Sequence, residues 1–554
     1  MPQQAPVAFA DKHSALKEQR SWTRALCPAI LLTLFAAQCV WFIRTQSLTY
    51  DEPVHIAEGL NAWRNGQFEE YNDHPPLVRL LCTLPLIGRG WQVDVEKLPA
   101  GFRVHRISPD PISLAWRARA MNVALGFLLG ILLWLETARM FSAAAASFSL
   151  ALFAFSPSLI AHFSLVTTDG AATLLIFASA ILIVRCKRRP TWRNALSCGV
   201  VFGLLLLAKF STLPMFALAM VWILVLVRGF PTFHPLRWNY AKAALALLIA
   251  IFVVWAGYFF HVSRLTIQNG TLIATHPHWT APLVKPTHSP LNVSLLIPAG
   301  EFVAGLRDVA LRNAHGQPAF FLGQVSRTGG WKAYYPVTIL LKWPLLVIVL
   351  AAVGFALCLS GKIRAPGFLI IASFPVLYFG LAIFAHFNIG ERHVLPLYPF
   401  ALLFAGAVWQ RFSHLRFGTV LLVASLVLDA ADVLRYAPDY LSYFEIFVSP
   451  KTSYRLLADS NLDWGQGLLA LRKYQVEHPR EKISLAYFGS VDPAVYGIGA
   501  RPLNENERAT GTVVVSATHL SGEYLKDPNA YRWLLRYPAI RILDHSLFVF
   551  DVAH

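Results

Sequence analysis

The chain has 554 residues, of which 56% are hydrophobic and 14% charged, with a mean hydropathy of +0.49. Soluble domains carry about 25% charged residues, so a large water-soluble enzyme is excluded and a polytopic membrane protein is indicated. The formal net charge of +17 sits in short basic clusters between apolar runs, a pattern set by membrane topology rather than by a nucleic-acid-binding face.

Taken in chain order, Lys12, Lys17, Arg20 and Arg24 precede an apolar run at 25–43, with no small-residue cleavage site behind it. This reads as a retained signal-anchor span. A lipid core of about 30 Å needs about 20 apolar helical residues. Further windows of that kind occur near 117–135, 143–163, 170–184, 195–209, 212–227, 243–260, 335–359, 367–386, 394–410 and 417–434, making about 11 transmembrane helices in all. The short loops 185–193, 360–367 and 410–418 are basic, which places them in the cytoplasm. By parity the segments 44–116, 261–334 and 435–554 then lie outside. Residues 1–434 form the membrane module on this reading. The tail 435–554 reads as a small α/β domain on the outer face, with strands in KISLAYFG, GTVVVSA and HSLFVFDV and a helix in GLLALRKYQVE. Six scattered cysteines form no CxxC pair and no disulfide framework.

The first outer segment concentrates polar chemistry. In Thr49-Tyr50-Asp51-Glu52 the spacing fits a capping box, with Thr49 at the helix cap and Glu52 reaching back. Asp51 and His55 then share a helix face. In YNDHPPLVRL, Asn72 or Asp73 is the expected cap of a helix whose first turn holds Pro75 and Pro76, and His74 stands off its start. Asp169 falls where the third span hands over to the fourth, on the same outer side, and a carboxylate at membrane depth is costly enough to mark function. Lys209 ends the fifth span and Arg392 lies between the ninth and tenth, both on that side. Carboxylates suited to a base or a metal thus gather with cations suited to a phosphate. A transporter is the principal alternative, although carriers place their charges near the midplane and in internal repeats, neither of which is evident here.

The ordered segments YDEPVHIAEGLNAWRNGQFEEYNDHPPLVRLL, LVTTDGAATLLIF, LLAKFS, GGWKAYYPVTILLKWPL, GERHVLPLYPF and LADSNLDWGQGLLALRKY resemble membrane glycosyltransferases of the GT-C type. The bacterial relatives of protein O-mannosyltransferases and the lipid A aminoarabinose transferases are the nearest groups. The resemblance implies a GT-C fold and a sugar donor carried on a polyprenyl phosphate. It also implies an acceptor that is a protein, lipid or glycan of the cell envelope, and a site on the outer, periplasmic face of a bacterial inner membrane. It places catalysis on the Asp51–Glu52 pair, with Asp51 as base. Donor phosphate contacts fall on His74, Lys209 and Arg392, and a divalent metal on Asp73 and Asp169. Histidine at 74 replaces a lysine of the aminoarabinose transferase, so phosphate binding there is expected to depend on pH. Val54 replaces an arginine of that enzyme, which separates the donors. SNLDWGQG has no assigned role beyond a turn capped by Asp463.

Overall fold

The computed structural model describes residues 8–68, 73–98, 101–228, 239–268, 271–276, 279–282 and 293–553. Its helices follow the apolar windows. They are α1 (Ala8–Thr45), α2 (Glu52–Asn65), α3 (Leu77–Thr83), α4 (Pro111–Met140), α5 (Ala143–Ala154), α6 (Pro157–Phe163), α7 (Thr168–Arg188), α8 (Trp192–Ala208), α9 (Leu213–Arg228) and α10 (Tyr240–Gly257). After them come α11 (Gly300–His315), α12 (Tyr334–Lys342), α13 (Leu345–Leu359), α14 (Phe368–Phe384), α15 (Tyr398–Phe412), α16 (Gly418–Leu434), α17 (Leu468–Glu477) and α18 (Ala517–Ser521). Local chemistry sets the starts of several. Asp110, Ser142, Thr191 and Asn239 each accept a hydrogen bond from the backbone N–H three residues on, which satisfies donors the helix itself leaves unpaired.

Six of the described helices are long and apolar enough to cross a membrane, or eight if each bent pair counts as one span. Up to eight of the eleven expected spans thus meet the length of a crossing among the described residues, and the remaining three are shorter. The windows 195–209, 367–386 and 417–434 form helices of only 17 residues, short of the about 20 that a straight crossing requires. The windows 143–163 and 335–359 break at prolines, bending by 65° between α5 and α6 and by 117° between α12 and α13. Pro157 and Pro344 stand at those breaks, where the preceding residue is driven out of helical conformation. Helices α8 and α10 approach closely because Gly199 and Gly203 face α10: a Cβ there would meet Ile249 and Val253 at 2.6 and 2.5 Å. This is the small-residue packing that membranes favour, where close backbone contact replaces a hydrophobic driving force. Leu248, Phe252, Leu369, Val376 and Leu428 stay exposed, forming apolar flanks suited to lipid.

Among the described residues, four sheets decorate the bundle. Strands β1 (Gln92–Leu98) and β2 (Gly101–Ser108) pair antiparallel. β3 (Val262–Gln268), β4 (Thr271–His276), β5 (Trp279–Pro282) and β6 (Val293–Pro298) form an antiparallel sheet in the order β5-β4-β3-β6. β7 (Ala319–Phe321) pairs with β8 (Gln324–Ser326). Toward the C-terminus, β9 (Ile483–Ala486), β10 (Ala500–Pro502), β11 (Gly511–Ser516), β12 (Ala539–Leu543) and β13 (Leu547–Val552) build a mixed sheet in the order β10-β9-β11-β13-β12. This sheet is stitched to the first polar segment. Val104 donates from its N–H to the Ser490 carbonyl (2.8 Å) and accepts from Asp492 N–H (2.9 Å). The larger of two apolar clusters runs from Leu32 of α1 to Val552 of β13, so the C-terminal layer packs as part of the bundle.

Candidate active site

The segment between α1 and α2 carries the first acid. Glu52 reaches back as the capping-box spacing predicts, accepting from Thr49 N–H (2.8 Å) and from the Thr49 hydroxyl (3.1 Å). Thr49 does not cap the helix, however. The helix begins at Glu52, and the cap position belongs to Asp51, whose side chain makes no capping bond. That leaves the Asp51 carboxylate, about a quarter exposed, to accept from Arg392 Nη1 at 3.0 Å.

Glu52 itself belongs to the scaffold. Its carboxylate is fully buried against Arg119, whose Nε and Nη2 donate at 2.8 and 2.7 Å, and it also accepts from Val166 N–H at 2.8 Å. With five donors already on two oxygens it has no capacity left for a reacting group, so the catalytic role expected of the Asp51–Glu52 pair narrows to Asp51. Arg119 donates further to the Gln46 and Ser47 carbonyls, tying the end of α1 to α2 and α4.

Asp169, in the first turn of α7, pairs with Lys209 at the end of α8 (2.5 Å), both side chains being almost fully buried. Asp73 pairs with Arg79 (2.9 Å) and with Arg312 of α11 (3.4 Å). The helix after Asp73 starts at Leu77, behind both prolines rather than with them in its first turn; Asn72, the alternative cap, lies outside the described residues. His55 and His74 face each other with ring centroids 5.1 Å apart, and His55 Nδ1 accepts from Arg79 Nε at 3.3 Å.

Burial raises the Asp51 carboxyl above its usual range, the Arg392 charge opposes that rise, and the charges of Asp73 and Asp169 add to it. For Asp73 the neighbouring His74, Arg79 and Arg312 outweigh desolvation and hold it below the carboxylate range. Desolvation lowers His55 well below its ordinary value and pushes His74 down to about 4. Burial thus favours the neutral form of the His74 imidazole.

Residues 113–256, from α4 through α10, match the family model described as dolichyl-phosphate-mannose-protein mannosyltransferase. Among solved structures the chain is similar to the Saccharomyces cerevisiae protein O-mannosyltransferase Pmt1–Pmt2 complex bound to the sugar donor. The TM-score is 0.51 at 11% identity, over 75% of this chain and 90% of that one. The fold is that of the GT-C membrane glycosyltransferases. Also similar, at TM-scores of 0.48 and 0.38 and 12% identity, are ArnT from Cupriavidus metallidurans in the apo state and the apo oligosaccharyltransferase of Archaeoglobus fulgidus. They cover 96% of this chain and 98% of theirs, and 73% and 54%, respectively. No curated protein matches the chain by sequence.

Within this GT-C frame the residues expected to bind metal do not fit one. Asp73 already serves two arginines and Asp169 a lysine, and among the described residues no group of three His, Cys, Asp or Glu could hold an ion. Several residues around the candidate site were missed from sequence. Arg79 and Arg312 converge on Asp73. Glu391, the partner that sequence proximity offers Arg392, accepts instead from Ser158 (2.8 Å) and lies 3.9 Å from Lys342. Arg392 lies over the Trp464 ring at 4.1 Å from its centroid. The signal for Trp464 was present in SNLDWGQG, whose density of amides, acids and a tryptophan exceeds what a capped turn needs.

Proposed function

We propose that this protein is an inverting glycosyltransferase. In this reading it moves a sugar from a polyprenyl-phosphate donor to an acceptor hydroxyl, with Asp51 as general base. The observation that carries the reading is the pairing of Asp51 with Arg392 in a half-buried site. One carboxylate, free of capping duty, lies beside a guanidinium whose Nε–H is buried without a hydrogen-bond partner among the described residues. The acceptor O–H passes its proton to Asp51 as its oxygen attacks the anomeric carbon, and the bond from that carbon to the phosphate oxygen breaks. The leaving phosphate keeps the electron pair and needs its charge held, not a proton. Arg392 and Lys209 supply that charge, with His74 as a neutral hydrogen-bonding neighbour. A single displacement with one base inverts the anomeric centre.

Two further features support the reading. An apolar groove of about 160 Å³ is lined by Leu206, Phe216, Ile251, Val254, Trp255 and Phe302, and Phe302 packs 5.4 Å from Phe210, the residue after Lys209. An isoprenoid tail lying there brings its phosphate to Lys209. Helix α7 has Asp169 in its first turn and Arg185, Lys187 and Arg188 in its last. Its 21 residues rise about 30 Å, which supports a site a full span away from the basic loop at 185–193 and so on the outer face of the membrane in this reading.

The test uses purified protein in lipid nanodiscs with a panel of polyprenyl-phosphate sugars, following release of polyprenyl phosphate. Wild-type turnover that Asp51→Asn lowers by about 10²–10⁴-fold is expected from loss of a general base. A parallel arm with chelator decides whether a divalent ion takes part, and no step above is routed through one. Failure of the wild type to consume any donor overturns the reading in favour of transport.

A further inference from the structure

Trp464 contacts the Asp51–Arg392 pair from two sides. Its indole ring underlies the Arg392 guanidinium at 4.1 Å, and its backbone carbonyl accepts from Tyr50 N–H, next to Asp51, at 2.9 Å. The ring is almost fully buried, so the stacking takes place away from water, where the attraction between a cation and an aromatic face is strongest.

The rest of SNLDWGQG holds the tryptophan in place. Asp463 accepts from Gly465 N–H (3.2 Å) and Thr518 N–H (3.0 Å), fixing the turn to α18. Asn461 accepts from Glu391 N–H (2.9 Å) and Ser460 donates to the Ile389 carbonyl (2.6 Å), so the residues flanking Arg392 hang from the same motif. On the other flank Ser47 donates from its N–H to the Gln466 carbonyl (2.9 Å) and accepts from Leu468 N–H (3.1 Å). Ser490 donates to the Tyr50 carbonyl (2.7 Å), and the Tyr50 ring stacks on Phe488. Base, cation and motif are thus one hydrogen-bonded unit, although the base lies 341 residues before the cation in sequence.

We infer that Trp464 is a positioning residue of the transferase, setting the distance between Arg392 and Asp51 and through it the proton affinity of the base. The inference rests on the reading of Asp51 as base. The charged groups that act on Asp51 are Arg392, Asp73 and Asp169, with Asp459 also in range. Of these, Arg392 is the group that stacks on Trp464, so its contribution is the one that removing the ring changes most directly. A guanidinium without its aromatic floor gains freedom to leave Asp51, and a carboxylate that loses its counter-charge holds its proton to higher pH.

The experiment compares wild type, Trp464→Leu, Trp464→Phe and Ser47→Ala in nanodiscs by two readouts. The first is the pH midpoint of carbodiimide labelling at Asp51, followed by peptide mass spectrometry; it reports protonation without turnover. The second is the acidic limb of the pH–rate profile for donor consumption. Trp464→Leu is expected to raise both midpoints by about one pH unit, a tenfold change in ionised fraction at fixed pH. Trp464→Phe, which keeps an aromatic face, stays near wild type. Ser47→Ala, which loosens the same clamp from the other flank, moves both midpoints in the same direction. Unchanged midpoints in Trp464→Leu, whatever its rate, overturn the inference, as does a shift that Trp464→Phe shares in full. If Trp464→Leu does not fold, the Ser47→Ala midpoints decide in its place. Labelling that shifts as expected in a protein consuming no donor upholds the positioning and removes the transferase reading instead.

Discussion

Replacing Arg119 by methionine should be among the most damaging single changes outside the reacting groups. Arg119 and Glu52 are both fully buried, and the guanidinium makes two bonds to the carboxylate and one each to the Gln46 and Ser47 carbonyls. Methionine fills much of the volume but leaves Glu52 as a buried charge held only by Thr49 and Val166. Breaking a buried pair from one side costs about 3–5 kcal/mol, and two orphaned carbonyl bonds add about 1 kcal/mol each, for a total of order 5 kcal/mol. The Glu52→Gln/Arg119→Met double variant removes the stranded charge and should recover 2 kcal/mol or more, on the order of the penalty for an unpaired buried charged group. The assay is detergent-titrated unfolding of the four proteins of the cycle in one bicelle composition. If Arg119→Met lies within about 1 kcal/mol of wild type, a typical surface-mutation range, or the double variant is no better than the single one, the pair does not hold this region together.

Other predictions address charge and backbone. His74 is pushed down to about 4, so donor KM should stay flat between pH 6 and 8 in both wild type and His74→Gln. A steep rise in wild type that His74→Gln abolishes would show a charged imidazole on the phosphate instead. Gly390 adopts φ +154°, and a Cβ there would come within 2.0 Å of Ser460 Oγ. Gly390→Ala should therefore cost about 1–3 kcal/mol of stability and lower turnover by displacing Arg392; unaltered melting and activity would refute this. Burial raises Asp459 to about 6 and Asp463 to about 7. Between about pH 4 and 7 these two groups bind more protons in the folded than in the unfolded chain, so their contribution to stability falls as pH rises through that window. The melting-temperature advantage of wild type over Asp463→Asn should therefore shrink from pH 5 to pH 8; an advantage that stays constant or grows would contradict the assignment.

Much of the architecture was legible because it follows from short-range rules. Apolar windows became helices, and KISLAYFG, GTVVVSA and HSLFVFDV contain β9, β11 and β13, since period and apolar content act within a dozen residues. The four site segments around Asp51, Asp73, Asp169 and Arg392 could be listed from sequence because charge in an apolar chain is conspicuous. The form of the spans was not legible, because prolines bend two windows and three others stop at 17 residues; length on paper does not reveal direction in space. The hairpin at 92–108 and the sheet at 262–298 carry too little apolar alternation to announce themselves.

Partner choice was decided by tertiary structure alone. Sequence placed Asp51 and Glu52 side by side as one catalytic pair. The fold sends one carboxylate to Arg392 in a half-open site and buries the other against Arg119, because adjacent residues at a helix start point in different directions. Sequence also offered Asp73 and Asp169 as ligands of a divalent metal, whereas the fold supplies each with cations from helices it could not align: Arg312 for one, Lys209 for the other. The residue types fix which charges exist; the packing of distant elements fixes which of them meet, and so which carboxylate is left able to take a proton.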